Sequence, residues 1–230
     1  MLAVLYDVHG NLLALDAVLE DARAAGADRW LLGGDYVAFG AWPAECLERL
    51  RSLDGAQWIR GNTDRWLLDP PPVEPDELPR PALDACAAKL DRQACDELLA
   101  LPERLSLAEA HFSHASPLND MESFGVEAQP DEDRLLDGVR LQNERVVFGH
   151  THVQFTRTRE DGIELVNPGS VGMPLDGDNR AAYALIDEDR ALELRRVAYD
   201  HEAAAAALAE RFGGADWTDV YAKRIRDAAF

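Results

Sequence analysis

The sequence has few cysteines, almost no lysine and no long apolar run. Its three cysteines form no CxxC pair, which argues against a disulfide framework and favours a reducing compartment. No segment approaches the roughly 20 consecutive apolar residues of a membrane-spanning helix, and the first residues lack the order of a signal peptide. We therefore expect a cytoplasmic protein with no membrane partner.

Positive charge is also scarce, because 23 basic residues stand against 43 acidic ones and the net charge is −20. A surface this negative repels nucleic-acid backbones, so nucleic-acid binding is not expected. Only Lys89 and Lys223 are lysines, and a salt-adapted source and a GC-rich source both explain this bias. Hydrophobic residues make up 47% of the 230 residues, which is enough for a packed core. No repeat or linker is evident, so one domain over residues 1–230 is expected.

Three short apolar runs near the start alternate with helical patterns. Strands are predicted over 2–6, 29–35 and 56–62, with Asn11 capping the first intervening helix and a second helix over 44–53. This β-α-β-α-β order predicts parallel strands with right-handed crossovers.

The remaining residues predict a mixed architecture. The Pro-rich residues 69–81 are expected to form an extended surface loop, and residues 82–101 are expected to form one amphipathic helix. Further elements are predicted as strands over 104–107, 109–115 and 145–152, two hairpins in the C-terminal third, and terminal helices over 201–212 and 217–228.

Polar side chains follow the predicted strands at their carboxyl ends, namely Asp7, His9, Asp35, Asn62, His114, His150 and His152. Ligands gather at such ends in open parallel sheets, which makes one common site a better explanation than separate polar caps. Asp, His and Asn together suit Mn, Fe, Zn, Co or Ni better than Ca. In DVH and HTH the two ligands are two positions apart, so on an extended strand they would point the same way. Seven protein ligands exceed what one ion takes, and a bridging aspartate would let them serve two.

The segments DVHGN, GGD, GNTD, SHAS, GHTH and NPGS resemble the motifs of the calcineurin-like metallophosphoesterase superfamily, from residue 1 to about 190. The segments NPGSVGMP (167–174) and GDYVAFGAWP (34–43) narrow the resemblance to small prokaryotic phosphodiesterase-type members. The resemblance implies an α/β fold, a four-layer α-β-β-α sandwich of two mixed sheets, with the site at one end of the sheets.

The resemblance also implies the roles of the polar residues. One metal ion would be held by Asp7, His9 and His152, and the other by Asn62, His114 and His150, with Asp35 bridging the two. Manganese is expected first, with Fe, Zn, Ni or Co as alternatives. The implied reaction is hydrolysis of a phosphodiester, or alternatively a phosphomonoester, of a small substrate through a metal-bridging hydroxide. The implied catalytic residues are Asp35, Asn62, His114 and His150. The residues implied to surround the ligands or contact the substrate are Asn11, Thr63, Asp64, Asn167 and Ser170.

Two positions depart from the family pattern. Thr63 stands where many members have a histidine that protonates the leaving group, and Ala115 stands where glycine is usual. The acid then comes from elsewhere or from solvent, or the leaving group needs none.

The alternatives left open are a Ser/Thr phosphatase-like or nucleotide phosphomonoesterase activity, and a non-catalytic metal-binding scaffold of the same fold. The oligomeric state stays open, with a homo-oligomer as one alternative.

The other histidines and aromatic residues are predicted to be structural. His111 lies three residues before His114 and is expected to be a sheet residue, while His201 is expected at the surface. Packing in the core or at the rim of the site is expected for Tyr36, Phe39 and Trp66, with stacking on a substrate base as the alternative.

Overall fold

The computed structural model describes residues 1–70, 79–107, 109–137 and 144–230. The strands are β1 (Leu2–Leu5), β2 (Arg29–Leu32), β3 (Gln57–Trp58), β4 (Arg104–Leu107), β5 (Ala110–Ser113), β6 (Arg145–Val147), β7 (Phe155–Thr158), β8 (Glu164–Asn167), β9 (Ala181–Ile186) and β10 (Leu192–Val197). The helices are α1 (Leu12–Ala24), α2 (Pro43–Arg51), α3 (Asn62–Trp66), α4 (Pro79–Ala87), α5 (Arg92–Leu99), α6 (His201–Phe212) and α7 (Asp216–Asp227), with a 3-10 helix over Glu132–Leu136.

The strands form two mixed five-stranded sheets. The first has the order β10-β9-β1-β2-β3, and its strands β1, β2 and β3 are parallel as the β-α-β-α-β pattern predicted. The second has the order β4-β5-β6-β8-β7, in which β5, β6 and β8 are parallel and the two edge strands are antiparallel. The predicted fold class, two mixed sheets in an α/β sandwich, is confirmed.

The alternating direction of the buried side chains on β1 explains the layers. Leu2 and Val4 pack between the two sheets, whereas Ala3 and Leu5 pack on the other face against the helices. A strand covered on both faces is apolar throughout, since successive side chains point to opposite faces of the sheet. In the described ranges, the outer face of the second sheet is covered by the 3-10 helix and Phe124 instead of an α-helix.

Several predicted boundaries were wrong. The single helix expected over 82–101 is two helices, because Asp91 adopts an extended conformation and its side chain accepts a hydrogen bond from the Ala94 amide at the start of α5. Helix α4 begins at Pro79, inside the segment expected to be a loop, because proline is tolerated in a first helical turn. The rest of that expected loop includes residues 71–78, which lie outside the described residues.

The strands that lead to the polar motifs are shorter than expected. Strands β2, β3 and β6 end at Leu32, Trp58 and Val147, although the predictions extended them to residues 35, 62 and 152. The polar residues therefore lie beyond the strands, in the loops that follow them or, for Asn62, at the start of α3.

Two expectations about the cysteines and about membrane spans can be compared with the structure. All three cysteines are buried and unpaired, as expected for small apolar side chains, and burial raises the pKa of Cys86 to about 12. Within the described ranges, no helix combines the length and the apolar character that crossing a membrane requires.

Candidate metal centre

The seven predicted ligands follow five strands at one edge of the two sheets, six of them in loops and Asn62 at the start of α3. The first sheet contributes the loops after β1, β2 and β3, and the second contributes those after β5 and β6. Backbone hydrogen bonds join the first two loops, because the Asp7 and His9 amides donate to Gly34 and Asp35 at 3.1 and 2.9 Å. The parallel strands thus bring residues far apart in the chain to one place.

The backbone at this edge is not extended. Five of the seven residues have left-handed φ angles of 48 to 65°, namely Asp7, His9, Asp35, His150 and His152. The expectation that DVH and HTH lie on extended strands was therefore wrong. Left-handed conformations are unfavourable for side chains with a Cβ and persist where the surroundings impose them, commonly at functional sites.

One group of donors consists of Asp7, His9 and His152, all buried, with one donor atom from each lying within 4.8 Å of the others. Hydrogen bonds to backbone carbonyls fix the orientation of the two imidazole rings. The Nδ1–H of His9 donates to Ala38 O at 3.1 Å, and the Nδ1–H of His152 donates to Met173 O at 2.6 Å. The two Nε2 atoms then carry lone pairs and face each other at 3.0 Å. Neutral imidazoles held this way present Nε2 to a cation.

A second group consists of Asp7, Asp35 and His114, again with donor atoms within 4.8 Å. The His114 Nδ1–H donates to Gly33 O at 2.9 Å, which leaves Nε2 facing the site. Asn62 Oδ1 lies 2.9 Å from that Nε2 and 3.0 Å from His150 Nδ1. The second predicted set, Asn62, His114 and His150, therefore converges on one point, with His150 presenting Nδ1.

Asp35 lies between the two groups. Its Oδ1 accepts a hydrogen bond from the Thr63 amide at 2.9 Å, while its Oδ2 lies 3.7 Å from His9 Nε2 and 3.5 Å from His114 Nε2. Asp7 Oδ1 is shared in a similar way, at 3.9 Å from both His9 Nε2 and His114 Nε2 and 3.5 Å from His152 Nε2. Two carboxylates thus contact both sets of imidazoles.

The protonation states at this site suit cation binding. Burial and the neighbouring His152 lower the pKa of His9 to about 3, and burial and His114 lower that of His150 to about 4. Burial, together with Asp64 and Asp7, raises the pKa of Asp35 to about 7. Burial also opposes the charge on Asp7, but the surrounding imidazoles outweigh it and hold the Asp7 pKa below its usual range. Burial opposes the charge on His114, but Asp35 and Asp7 outweigh it and raise the His114 pKa. Neutral His9 and His150 beside crowded carboxylates form a donor set that a divalent cation would stabilise.

The residues fit a metal ion on two further observations. Asp7 Oδ1 is buried and has no hydrogen-bond partner, which is costly unless a cation occupies the position in front of it. The facing Nε2 lone pairs of His9 and His152 repel each other unless something positive binds both. The chemistry of the donors, carboxylate and amide oxygens with imidazole nitrogens, is that of transition-metal sites.

Thr63 and Asp64 hold the second and third loops together. Asp64 accepts hydrogen bonds from the backbone amides of Asp35, Tyr36 and Gly61 at 2.8 to 3.0 Å. Thr63 donates its amide to Asp35, and its hydroxyl is buried without a partner.

The NPGS motif and the two residues after it hold the first loop in place through hydrogen bonds. Ser170 Oγ donates to Asp7 O at 2.8 Å, and the Val171 and Gly172 amides donate to Tyr6 O and Asp7 O at 3.0 Å. Asn11 accepts from the Ala14 amide as the predicted cap of α1, and its Nδ2 also donates to Gly172 O at 2.8 Å.

Asn167 holds the loop that carries His150 and His152. Its Nδ2 lies 2.9 Å from Gly149 O and 3.0 Å from Thr151 Oγ1, and its Oδ1 accepts from the Gly169 amide. We expect Asn167→Ala to weaken metal binding by about 10–100-fold, because residues that orient ligands commonly contribute this much. Metal titration followed by calorimetry measures the effect. Asn179→Ala, which removes one exposed hydrogen bond to Arg226 O, is the control. Equal affinities in both variants would contradict this role.

A cavity of about 290 Å³ opens in front of the metal-facing donors. Phe39 and Trp66 line it at the rim, whereas Tyr36 is fully buried with its hydroxyl 2.7 Å from Leu32 O and 2.6 Å from Ile59 O. His111 is a sheet residue beside Ser106 Oγ at 3.2 Å, as expected. His201 begins α6 away from the cavity, but its side chain is half-buried instead of fully at the surface.

Five lining residues were not predicted from the sequence, namely Met173 and Leu175 between β8 and β9 and three residues at the C-terminal end. Helix α7 and the segment after it place Tyr221, Arg224 and Phe230 at the cavity, opposite the polar motifs. Their local sequence reads as an ordinary amphipathic helix, so no pattern could have marked them.

Comparison with known proteins is consistent with this geometry. A family model described as the calcineurin-like phosphoesterase superfamily domain matches residues 1–191. An uncharacterized protein of Methanocaldococcus jannaschii is 31% identical over 220 residues, covering 87% of this chain and 88% of that protein. The phosphodiesterase YfcE of Escherichia coli is 29% identical over 196 residues, covering 80% and 85%.

Solved structures share the fold over nearly the whole chain. A metallophosphoesterase from Sphaerobacter thermophilus aligns with a TM-score of 0.81 at 26% identity, covering 99% of both chains. A hypothetical protein from Pyrococcus horikoshii aligns with a TM-score of 0.82 at 20% identity, covering 98% of this chain and 99% of that one.

Proposed function

Because this chain belongs to the calcineurin-like phosphoesterase superfamily and is a metal-dependent phosphoesterase, we propose that it hydrolyses phosphodiesters at a dinuclear centre. The observation that carries the dinuclear part is the position of Asp35 Oδ2, 3.7 Å from His9 Nε2 and 3.5 Å from His114 Nε2. A carboxylate oxygen placed between two sets of imidazoles suits a bridging ligand. We propose manganese as the first metal to test, because the mixed oxygen and nitrogen donors accept it.

The proposed ligand sets are those implied by the motifs. His9, His152 and Asp7 would hold one ion, and Asn62, His114 and His150 would hold the other, with Asp35 between them. Asp7 Oδ1 also lies near His114 Nε2, at 3.9 Å, which makes it a second candidate for contact with both ions.

The protein residues orient the substrate and exclude solvent. When bound, two divalent ions would lower the pKa of a water molecule and neutralise charge on the phosphate. The backbone carbonyls behind His9, His152 and His114 keep their rings fixed, so the site needs no reorganisation during the reaction. The apolar side chains of Phe39, Trp66 and Met173 line the cavity and shield one side of a bound ester from water.

A pair of model esters tests the proposal. With added Mn²⁺, we expect bis-p-nitrophenyl phosphate to be hydrolysed faster than p-nitrophenyl phosphate, because YfcE, a relative of this chain, is a phosphodiesterase. His150→Ala should lower the rate by about 10²-fold or more by removing a ligand, whereas His201→Ala, outside the cavity, should not change it. A preference for the monoester would replace the diester assignment, and equal rates for His150→Ala and wild type would exclude the proposed second ion.

We further propose that residues 1–230 act as one domain. The support is that α7 reaches back to the catalytic edge, where the Tyr221 ring stacks on Phe39 at 4.5 Å with an interplanar angle of 6°.

A further inference from the structure

The C-terminal helix brings an arginine to the cavity in front of the metal-facing donors. The family model ends at residue 191, so α7 lies beyond the part of the chain that it describes. Arg224 is the only basic residue that lines this cavity among the described residues, apart from the metal-facing histidines. The other walls are mostly apolar, with contributions from Phe39, Trp66, Met173, Leu175, Tyr221 and Phe230.

A column of stacked groups fixes the position of this guanidinium. The His9 ring stacks on Phe39 at 5.6 Å, and Phe39 stacks on Tyr221 at 4.5 Å. Arg224 Cζ then lies 5.0 Å from the Tyr221 ring centroid and 5.3 Å from that of Phe230. The charge of Arg224 is therefore positioned by packing that begins at a metal-facing histidine.

The guanidinium has no protein anion to neutralise it in the described part of the chain. Lys223 pairs with Asp227, and Arg226 pairs with Glu202, both on the exposed side of α7. No described carboxylate lies within ion-pair distance of Arg224, and its Nε is buried without a hydrogen-bond partner. Although Nε is buried, the two terminal nitrogens of the guanidinium make no hydrogen bond to the described residues and can bind two phosphate oxygens in a bidentate manner.

The same cavity offers no suitable acid. Besides the metal-facing donors, the described lining residues with an ionisable or hydroxyl group are Thr63, Tyr221 and Arg224. Burial raises the pKa of Tyr221 to about 12, far from the value that favours proton transfer near neutral pH. A leaving group that departs as a stable anion needs no proton, and a departing phosphate also carries phosphoryl oxygens that a guanidinium can bind.

We propose that Arg224 binds the departing phosphate of a nucleotide phosphoanhydride, an inference that rests on the phosphoesterase function proposed above. Water oxygen bonds to the phosphorus at the metal centre, and the bond from that phosphorus to the bridging oxygen breaks. The electron pair stays on the departing phosphate beside Arg224, and the water proton passes to solvent. Trp66, Met173 and Leu175 supply apolar surface for the nucleoside.

Two substrates and three variants test this assignment. Diadenosine 5′,5′-diphosphate has a phosphate leaving group, whereas bis-p-nitrophenyl phosphate releases an aryl oxide, which has no phosphoryl oxygens for Arg224 to bind. With Mn²⁺, the wild type should convert the anhydride to AMP with the higher kcat/KM. Arg224→Met should lower that kcat/KM by about 10²–10³-fold, the usual cost of removing a donor to a developing anion, with most of the loss in kcat. For bis-p-nitrophenyl phosphate the change should stay within about threefold, and Arg224→Lys should retain part of the anhydride activity.

Arg226→Met is the matched control, because it lies on the same helix and pairs with Glu202 at the surface. It should leave both substrates unaffected. Retained aryl diesterase activity in Arg224→Met shows that this variant is folded. An equal loss on both substrates, no loss on either, or a wild type that does not hydrolyse the anhydride would overturn the assignment to Arg224. No hydrolysis of bis-p-nitrophenyl phosphate by the wild type would instead overturn the proposed function.

Discussion

Asp35→Asn is expected to lower phosphodiester hydrolysis by at least about a thousandfold, equivalent to about 4 kcal/mol of transition-state stabilisation. Asp35 Oδ2 lies within 3.7 Å of His9 Nε2 and 3.5 Å of His114 Nε2, so both proposed ions lose a charged ligand at once. The amide has the same shape but carries no charge, and its NH₂ group cannot coordinate a cation. Metal content by mass spectrometry and kcat/KM for bis-p-nitrophenyl phosphate measure the two effects together.

Loss of folding can be separated from loss of metal in this variant. Burial and the nearby Asp64 and Asp7 raise the pKa of Asp35 to about 7, so above that pH its charge opposes the folded metal-free protein. Metal-free Asp35→Asn should therefore unfold at the same temperature as the metal-free wild type, or higher. Asp21→Asn, which alters a half-buried ion pair with Arg195, is the control and should keep its activity. Full metal content and activity in Asp35→Asn would rule out the bridging role.

Gly172→Ala should destabilise the protein by about 3 kcal/mol or more, and lower its unfolding temperature by roughly 6–12 °C. A Cβ built at Gly172 lies 1.9 Å from Val8 O and 3.0 Å from Asn11 Cβ. Both neighbours belong to the loop that carries Asp7 and His9, and a backbone oxygen cannot rotate away as a flexible side chain would. Thermal unfolding of the metal-free protein measures the change, and metal affinity should fall with it because the loop must move.

Gly177→Ala is the control for this prediction, because it tests the cost of a left-handed backbone conformation without a steric clash at Cβ. Gly177 has a φ of +84° but no atom within 4 Å of a built Cβ, so alanine there meets only the unfavourable left-handed conformation. That conformation costs about 1–2 kcal/mol, and metal binding should be unaffected. If Gly172→Ala lowered the unfolding temperature no more than Gly177→Ala, close packing of Gly172 against the first loop would not be what positions Asp7 and His9.

Much of the site could be anticipated because its donors follow buried strands. Five separate segments end in Asp, His or Asn, and parallel strands bring such ends to one edge, so the seven residues could be grouped without coordinates. Their conformation could not be anticipated. DVH and HTH are not extended, because β1 and β6 end at Leu5 and Val147. Beyond these residues, hydrogen bonds between loops impose left-handed φ angles.

The helical part was less predictable for a different reason. At the break between α4 and α5, Asp91 accepts a hydrogen bond from the Ala94 amide, and such a cap differs from continued helix by only a small free energy. Apolar spacing over 82–101 fits one long helix or two short ones equally well, and contacts with the rest of the protein decide between them.

Local patterns in the sequence determined the elements, the parallel order of β1 to β3 and the residue types at the edge, because burial imposes periodicity on neighbouring residues. Only the tertiary structure decided which donor atoms converge and which carboxylates lie between the two sets of imidazoles. It alone also placed Arg224 opposite them. That placement depends on stacking between Tyr221 of α7 and Phe39 of the loop after β2. A contact between two segments so far apart in the chain produces no periodic pattern in the sequence of either segment.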